Sequence, residues 1–112
     1  MKLMVIGSRS IKDFDLEKHI PKEATMIISG GADGIDTLAE KYADKKRLSK
    51  LILRPQYNLY GRAAPIVRNE KMVELCDMAL IIWDGSSRGT KYTIDHAYKL
   101  RKNVILITEK DG

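Results

Sequence analysis

The chain reads as an α/β protein, with a five-stranded, mainly parallel sheet and helices on both of its faces. Two observations predict this. Five short apolar runs recur at similar intervals: Leu3–Ile6, Met26–Ile28, Leu51–Leu53, Met78–Trp83 and Val104–Ile107. They are continuous rather than alternating, as strands buried on both faces require. Helical patterns occupy the gaps between them, and that alternation implies right-handed crossovers between parallel strands.

Each intervening element has its own signal. A short helix is expected from Asp15 to Ile20, closed by Pro21. Ile35, Leu38, Ala39, Tyr42 and Ala43 form an i, i+3, i+4, i+7, i+8 stripe, the pattern of a helix with one buried face. A third helix is expected from Pro65, a favoured first-turn residue, to Cys76. A fourth should run from Thr90 to Arg101, with Ile94, Ala97 and Tyr98 inward. The stretch from Arg54 to Ala64 is the longest irregular segment, and loops of that length in compact domains are more often functional than idle.

Length and composition bound the rest. The 112 residues make one domain, 1–112, of which 44% are hydrophobic and 31% charged, too apolar for a disordered tail. No run approaches the ~20 apolar residues of a membrane span, so no membrane partner is expected. The lone cysteine, Cys76, excludes an intramolecular disulfide and suits the reducing cytoplasm; its helical spacing from Met72 and Val73 makes it a small core residue. Cys76, His19 and His96 are not spaced as a ligand set, so no metal site and no cofactor is expected. His19 and Tyr98 read as structural, His96 has no identifiable catalytic partner, and Trp83 reads as core or rim.

In such a sheet, ligands bind beyond the carboxyl ends of the strands. Four segments fall there: Gly7–Ser10 (GSRS), Ser29–Asp36 (SGGADGID), Arg54–Asn69 and Asp84–Thr90 (DGSSRGT). Small residues let backbone N–H groups approach an anion, and each segment leads into a helix N-terminus. Of the seven arginines, five (Arg9, Arg54, Arg62, Arg68 and Arg88) lie in these segments. Arginine's planar fork binds phosphate or carboxylate bidentately. Lysines cluster instead at helix C-termini on the other edge, so the net charge of +5 argues only weakly for nucleic acid. Bland readings compete at several positions. The glycines can serve a tight turn and close packing, and Asp33 reads as an N-cap. Asp36 is either first-turn dipole compensation or a ribose or base acceptor, and Ser86, Ser87 and Thr90 can cap the fourth helix. The glycine spacing is not G-x-G-x-x-G, which disfavours NAD.

These segments resemble those of the SLOG superfamily, which joins the Smf/DprA DNA-processing proteins to the LOG-type cytokinin-activating hydrolases. The likeness is strongest to its small single-domain, YspA-like bacterial and phage members, and it extends from Gly7 to about Ile107. SGGADGID is similar to the DprA signature S-G-x-A-x-G-I-D. Gly7-Ser8-Arg9 resembles the G-S-R after the first DprA strand, and Arg68-Asn69 after Pro65 resembles P-x-x-R-N-R, with Glu70 in place of the second arginine. DGSSRGT is similar to S-G-x-x-x-T of DprA and P-G-G-x-G-T of LOG proteins.

The resemblance implies a Rossmann-like three-layer sandwich with strand order 3-2-1-4-5 and a nucleotide, nucleotide derivative or nucleic-acid strand at the four segments. The expected ligand-binding residues are Gly7, Ser8, Arg9, Ser29, Gly30, Gly31, Ala32, Gly34, Asp36, Arg68, Asn69, Asp84, Gly85, Ser86, Ser87, Arg88, Gly89 and Thr90. LOG-type members hydrolyse the N-glycosidic bond of a nucleoside 5′-monophosphate with an arginine, matched by Arg68, and a glutamate three residues after the threonine. That position is Thr93 here, and Asp95, two residues on, faces another side of the helix. Candidates for catalysis are therefore Arg68, Asp36, Asp84 and Glu70. The favoured expectation is binding of a nucleotide-derived small molecule. The alternatives are a LOG-like N-glycosidase and a single-strand DNA binder with Tyr57 and Tyr60 as stacking platforms. A homo-oligomer is expected, on the ground that Ala39, Tyr42, Met72 and Leu75 leave apolar surface to spare.

Overall fold

The computed structural model describes residues 1–109. Five parallel strands form one sheet in the order β3-β2-β1-β4-β5, where β1 is Lys2–Gly7, β2 Met26–Ser29, β3 Ser49–Ile52, β4 Met78–Trp83 and β5 Asn103–Thr108. The helices are α1 (Ile35–Lys46), α2 (Tyr57–Tyr60), α3 (Ala64–Leu75) and α4 (Arg88–Lys99). The fold is thus the α/β sandwich expected, with every strand pair parallel.

The pleat divides the central strands between two cores. Leu3, Val5, Ile27, Leu80 and Ile82 point to one face and pack with Ile35, Ala39 and Ala43 of α1 and with Ile11, Leu16 and Ile20 of the β1–β2 connection. Met4, Ile6, Ile28, Ala79 and Ile81 point to the other face, onto Met72 and Val73 of α3 and Ile94 and Ala97 of α4. β1 and β4 are buried on both sides, so they read as unbroken apolar runs.

Four local expectations are corrected. On α4, Ile94 and Ala97 are buried as expected, but Tyr98, expected inward, is exposed, one residue past Ala97 and turned off the buried face. The helix expected from Asp15 to Ile20 is only a 3₁₀ turn, Glu17–His19. Leu16 and Ile20 are buried anchors four residues apart, but Pro21 stops extension, and so short a helix does not repay nucleation. The Arg54–Ala64 stretch is not irregular throughout; it holds α2 and a 3₁₀ turn at Gly61–Ala63. Asp33 does not cap α1. It is exposed, and the N-cap is Gly34, with no side-chain cap. Gly34 has φ 83° and ψ −123°, and a Cβ there would stand 2.8 Å from the Ile11 carbonyl oxygen. Only glycine meets both demands, so the chain turns at residue 34 and the helix starts there.

The ground given for self-association is also narrowed. Ala39 and Met72 are fully buried within the single chain, whereas Leu75 is exposed. Cys76 is buried as expected, just past the end of α3.

Replacing Gly34 with alanine adds backbone strain and a contact with Ile11. It should lower stability by about 1–3 kcal/mol, read as an earlier urea midpoint at unchanged slope.

Candidate functional site

Because all strands run the same way, their carboxyl ends and the N-termini of α1, α3 and α4 share one edge. A cavity of about 350 Å³ opens there. The loop after β1 contributes Gly7, Arg9 and Ser10, and the loop after β2 with the start of α1 contributes Ala32, Asp33 and Asp36. Pro65, Arg68 and Asn69 come from α3, and Asp84, Ser87, Gly89 and Thr90 from the β4–α4 turn. All four stretches of sequence singled out for ligand binding therefore meet at one place. Ile6, Ser10, Asp33 and Pro65 line it too; they were not among the expected ligand-binding residues, although the last three lie in segments expected at this edge.

Arg68 organises this edge. Its Nη1 donates to the carbonyls of Gly30 (2.6 Å) and Leu53 (3.3 Å), and its Nε donates to Asn69 Oδ1 (2.7 Å). Asn69 Nδ2 donates to Thr93 Oγ1 (2.9 Å), and the Thr93 hydroxyl donates to the Gly89 carbonyl (3.0 Å). The guanidinium is half-buried, yet among the described residues no carboxylate pairs with it and Nη2 donates to no protein acceptor. Burial lowers its pKa from the ordinary arginine value; Asp36 opposes that shift and nearby Arg9 adds to it. Gly30 makes this close approach possible, since a Cβ there would stand 2.5 Å from Arg68 Nη1 and 3.0 Å from Asp36 Oδ2.

Asp36 is buried, and its Oδ2 accepts from the Ala32 N–H at 3.1 Å. Burial raises its pKa to about 6; the Ala32 N–H and Arg68 oppose the rise, and Glu40 adds to it. A buried carboxylate held beside a cation in a cleft is a common mark of a functional position. Glu40, which the sequence did not single out, accepts from Ser29 Oγ at 2.8 Å.

Several expected ligand contacts are occupied by the protein itself. Ser29 is buried, donates to Glu40 and accepts from the Gly31 N–H. Ser8 is buried, donates to Thr90 Oγ1 and accepts from the Asp84 N–H at 3.0 Å. Asp84 Oδ1 accepts from the N–H groups of Ser86 (2.9 Å) and Ser87 (2.8 Å), and Oδ2 accepts from Ser10 Oγ (2.7 Å). Those bonds hold its carboxyl well below the usual range. Asp84 is thus the clamp of its own turn. Ser87 caps α4 by accepting from the Thr90 N–H at 3.4 Å, as the capping alternative had it. Gly7 packs against the Ile35 side chain. Gly31 and Gly34 shape the turn before α1. Gly85, Ser86 and Arg88 are exposed and do not line the cavity.

The catalytic candidates divide accordingly. Glu70 lies outside the cavity, where it accepts from the Tyr92 hydroxyl at 3.0 Å. Asp84 lines the cavity, but its carboxylate already accepts from Ser10, Ser86 and Ser87. Thr93, at the LOG glutamate position, is buried and committed to Asn69 and Gly89. Asp36 and Arg68 remain as cavity-lining candidates not tied up in the β4–α4 turn. Among the described residues no cluster of His, Cys, Asp or Glu is placed to hold a metal ion, and no helix is long and apolar enough to cross a membrane.

No family model matches the chain, and no solved structure does. The chain is similar to the Gene 61 protein of Mycobacterium phage D29, with 28% identity over 122 aligned residues that cover 97% of this chain and 98% of that protein. A phage protein is thus similar to this chain over nearly the whole length of both.

Asp36 carries a testable signature. Between pH 3.8 and about 6 the unfolded chain releases this proton while the folded protein keeps it, so the group's contribution to stability falls as pH rises through that window. The deficit is complete above about pH 6 and amounts to about 3 kcal/mol. Asparagine still accepts from Ala32. Asp36→Asn should therefore be more stable than wild type at pH 7 and lose the advantage by pH 4, measured as the difference between two urea titrations at each pH.

Proposed function

We propose that the protein binds a nucleotide or nucleotide-derived ligand in the cavity at the carboxyl edge, with Arg68 as its phosphate anchor. The observation that carries this reading is the half-buried Arg68 guanidinium, fixed by neutral carbonyls and an amide with no paired carboxylate. Desolvating a cation that no carboxylate touches directly is costly, with Asp36 nearby offsetting only part of it, and an incoming phosphate relieves that cost. Arg9 adds a second cation across the same cavity, and the uncapped N-terminus of α1 adds backbone donors. Asp36 is placed to accept from a ribose hydroxyl or a base. About 350 Å³ is room for a ligand of mononucleotide size.

The two rivals draw less support. N-glycosidic hydrolysis on the LOG pattern needs a carboxylate where Thr93 is buried, and a strand-binding groove needs a continuous run of basic and aromatic groups. The reading is therefore binding without base release.

The test is titration calorimetry with a panel of nucleoside 5′-monophosphates, combined with chromatography for free base. Arg68→Ala should weaken binding about 30- to 1,000-fold, which is about 2–4 kcal/mol, and Arg68→Lys should recover only part. Lys46→Ala, whose side chain pairs with Glu17 at the far edge, should change affinity little. Equal losses from both alanine variants would place the ligand elsewhere, and rapid release of base would establish hydrolysis.

Self-association belongs to the same proposal, now on different residues. Leu75, Tyr98, Leu100 and Leu106 are exposed at 42%, 53%, 39% and 37%. Light scattering should report a mass above the 12.7 kDa of one chain, falling toward it when Tyr98 and Leu106 are both replaced by serine.

A further inference from the structure

A second cavity, of about 260 Å³, lies on the other side of Arg68, between the end of β3, α2 and α3. Arg68 lines both cavities. The second has apolar walls from Leu53, Ala64 and Val67, and its charged residues are all cations: Arg54, Arg68 and Lys71. Among the described residues none of these three is in an ion pair. Arg54 is held by donating to the Gly31 carbonyl at 3.2 Å, and the Lys71 ammonium sits 5.5 Å from the Tyr60 ring centre. Four lysines elsewhere do meet carboxylates, Lys45 and Lys46 at Glu17, Lys50 at Asp44 and Lys91 at Asp95. Three unpaired cations around one concavity, with no carboxylate among them, form an environment that favours an anion.

We propose that this second cavity is an anion subsite formed by Arg54, Arg68 and Lys71, so that the ligand carries two phosphoryl groups, one on each side of the Arg68 guanidinium. The proposal rests on the nucleotide reading of the first cavity and narrows it to doubly phosphorylated nucleotides. Arg68 has donors enough for the task. Nε and Nη1 are spent on the protein, which fixes the plane of the fork, and among the described residues Nη2 donates to none. Lys71 and Arg54 then supply the charge for the second group, and Tyr60 forms a wall beside it.

The experiment is calorimetry with matched nucleosides bearing a 5′-monophosphate, a 5′-diphosphate or 3′,5′-bisphosphates. At least one doubly phosphorylated form should bind about 10- to 100-fold more tightly than the monophosphate. Lys71→Gln should remove most of that gain while changing monophosphate affinity no more than Lys46→Gln, which makes the same charge change at the far edge. Lys71 is exposed and makes no hydrogen bond that the fold needs, so the variant should keep the wild-type melting temperature. Equal affinity for all three forms, or a gain that survives Lys71→Gln, overturns the second subsite and leaves the first cavity's reading intact. No binding of any nucleotide overturns the earlier reading instead. Oligonucleotide affinity that keeps rising with length beyond a dinucleotide, with steep salt dependence, overturns the small-ligand form in favour of a strand.

Discussion

Much of the carboxyl edge depends on where the Arg68 guanidinium is held. Its bonds to Gly30 and Leu53 tie α3 to the ends of β2 and β3, and its bond to Asn69 continues through Thr93 to Gly89 at the start of α4. One side chain thus couples both halves of the sheet across the point where the strand order reverses. The arrangement works only because Gly30 has no Cβ, and because Thr93 is small enough to be buried while keeping a hydroxyl for Asn69. A glutamate at 93 would have to fit its carboxylate into a site with almost no exposure and would displace the amide that orients Arg68. In this chain the LOG carboxylate and this manner of fixing Arg68 exclude one another.

The features legible in the sequence were those set by burial and punctuation. The apolar runs gave β1 and β4 nearly to the residue, because strands covered on both faces tolerate no polar interruption. β3 begins earlier than its apolar run suggests, at Ser49, because edge strands are only half covered and polar residues are admitted. The convergence of Gly7, Asp36, Arg68 and Thr90 was likewise legible, since parallel topology alone brings those loops together. What a single sequence could not convey was which polar groups are spent on the protein. Ser8, Ser29 and Asp84 have the composition of ligand contacts, but their partners are Thr90, Glu40 and Ser10, up to 82 residues away along the chain. Glu40 was missed for the same reason: on a helical wheel it is one more solvent-facing charge, and only the close approach of β2 gives it a buried serine to hold.

Charge segregation follows from topology as well. Parallel strands with returning helices put helix N-termini on one edge and C-termini on the other, so the macrodipoles already bias the molecule. Lysines near the C-terminal edge answer the exposed carbonyl ends, as Lys102 does in donating to the carbonyls of Glu74 and Cys76. They also form surface pairs, worth at most about 1 kcal/mol each. Among the described residues the arginines of the other edge form no ion pair, and Arg54 and Arg68 donate instead to carbonyls at the strand ends. Arg9 and Arg68 stand where the dipoles are already positive; the Arg9 charge repels that of Arg68, and Asp36 opposes the repulsion. A molecule that neutralises them removes that repulsion and binds only the folded state. Its binding energy therefore adds to stability in proportion to the logarithm of its concentration over its dissociation constant.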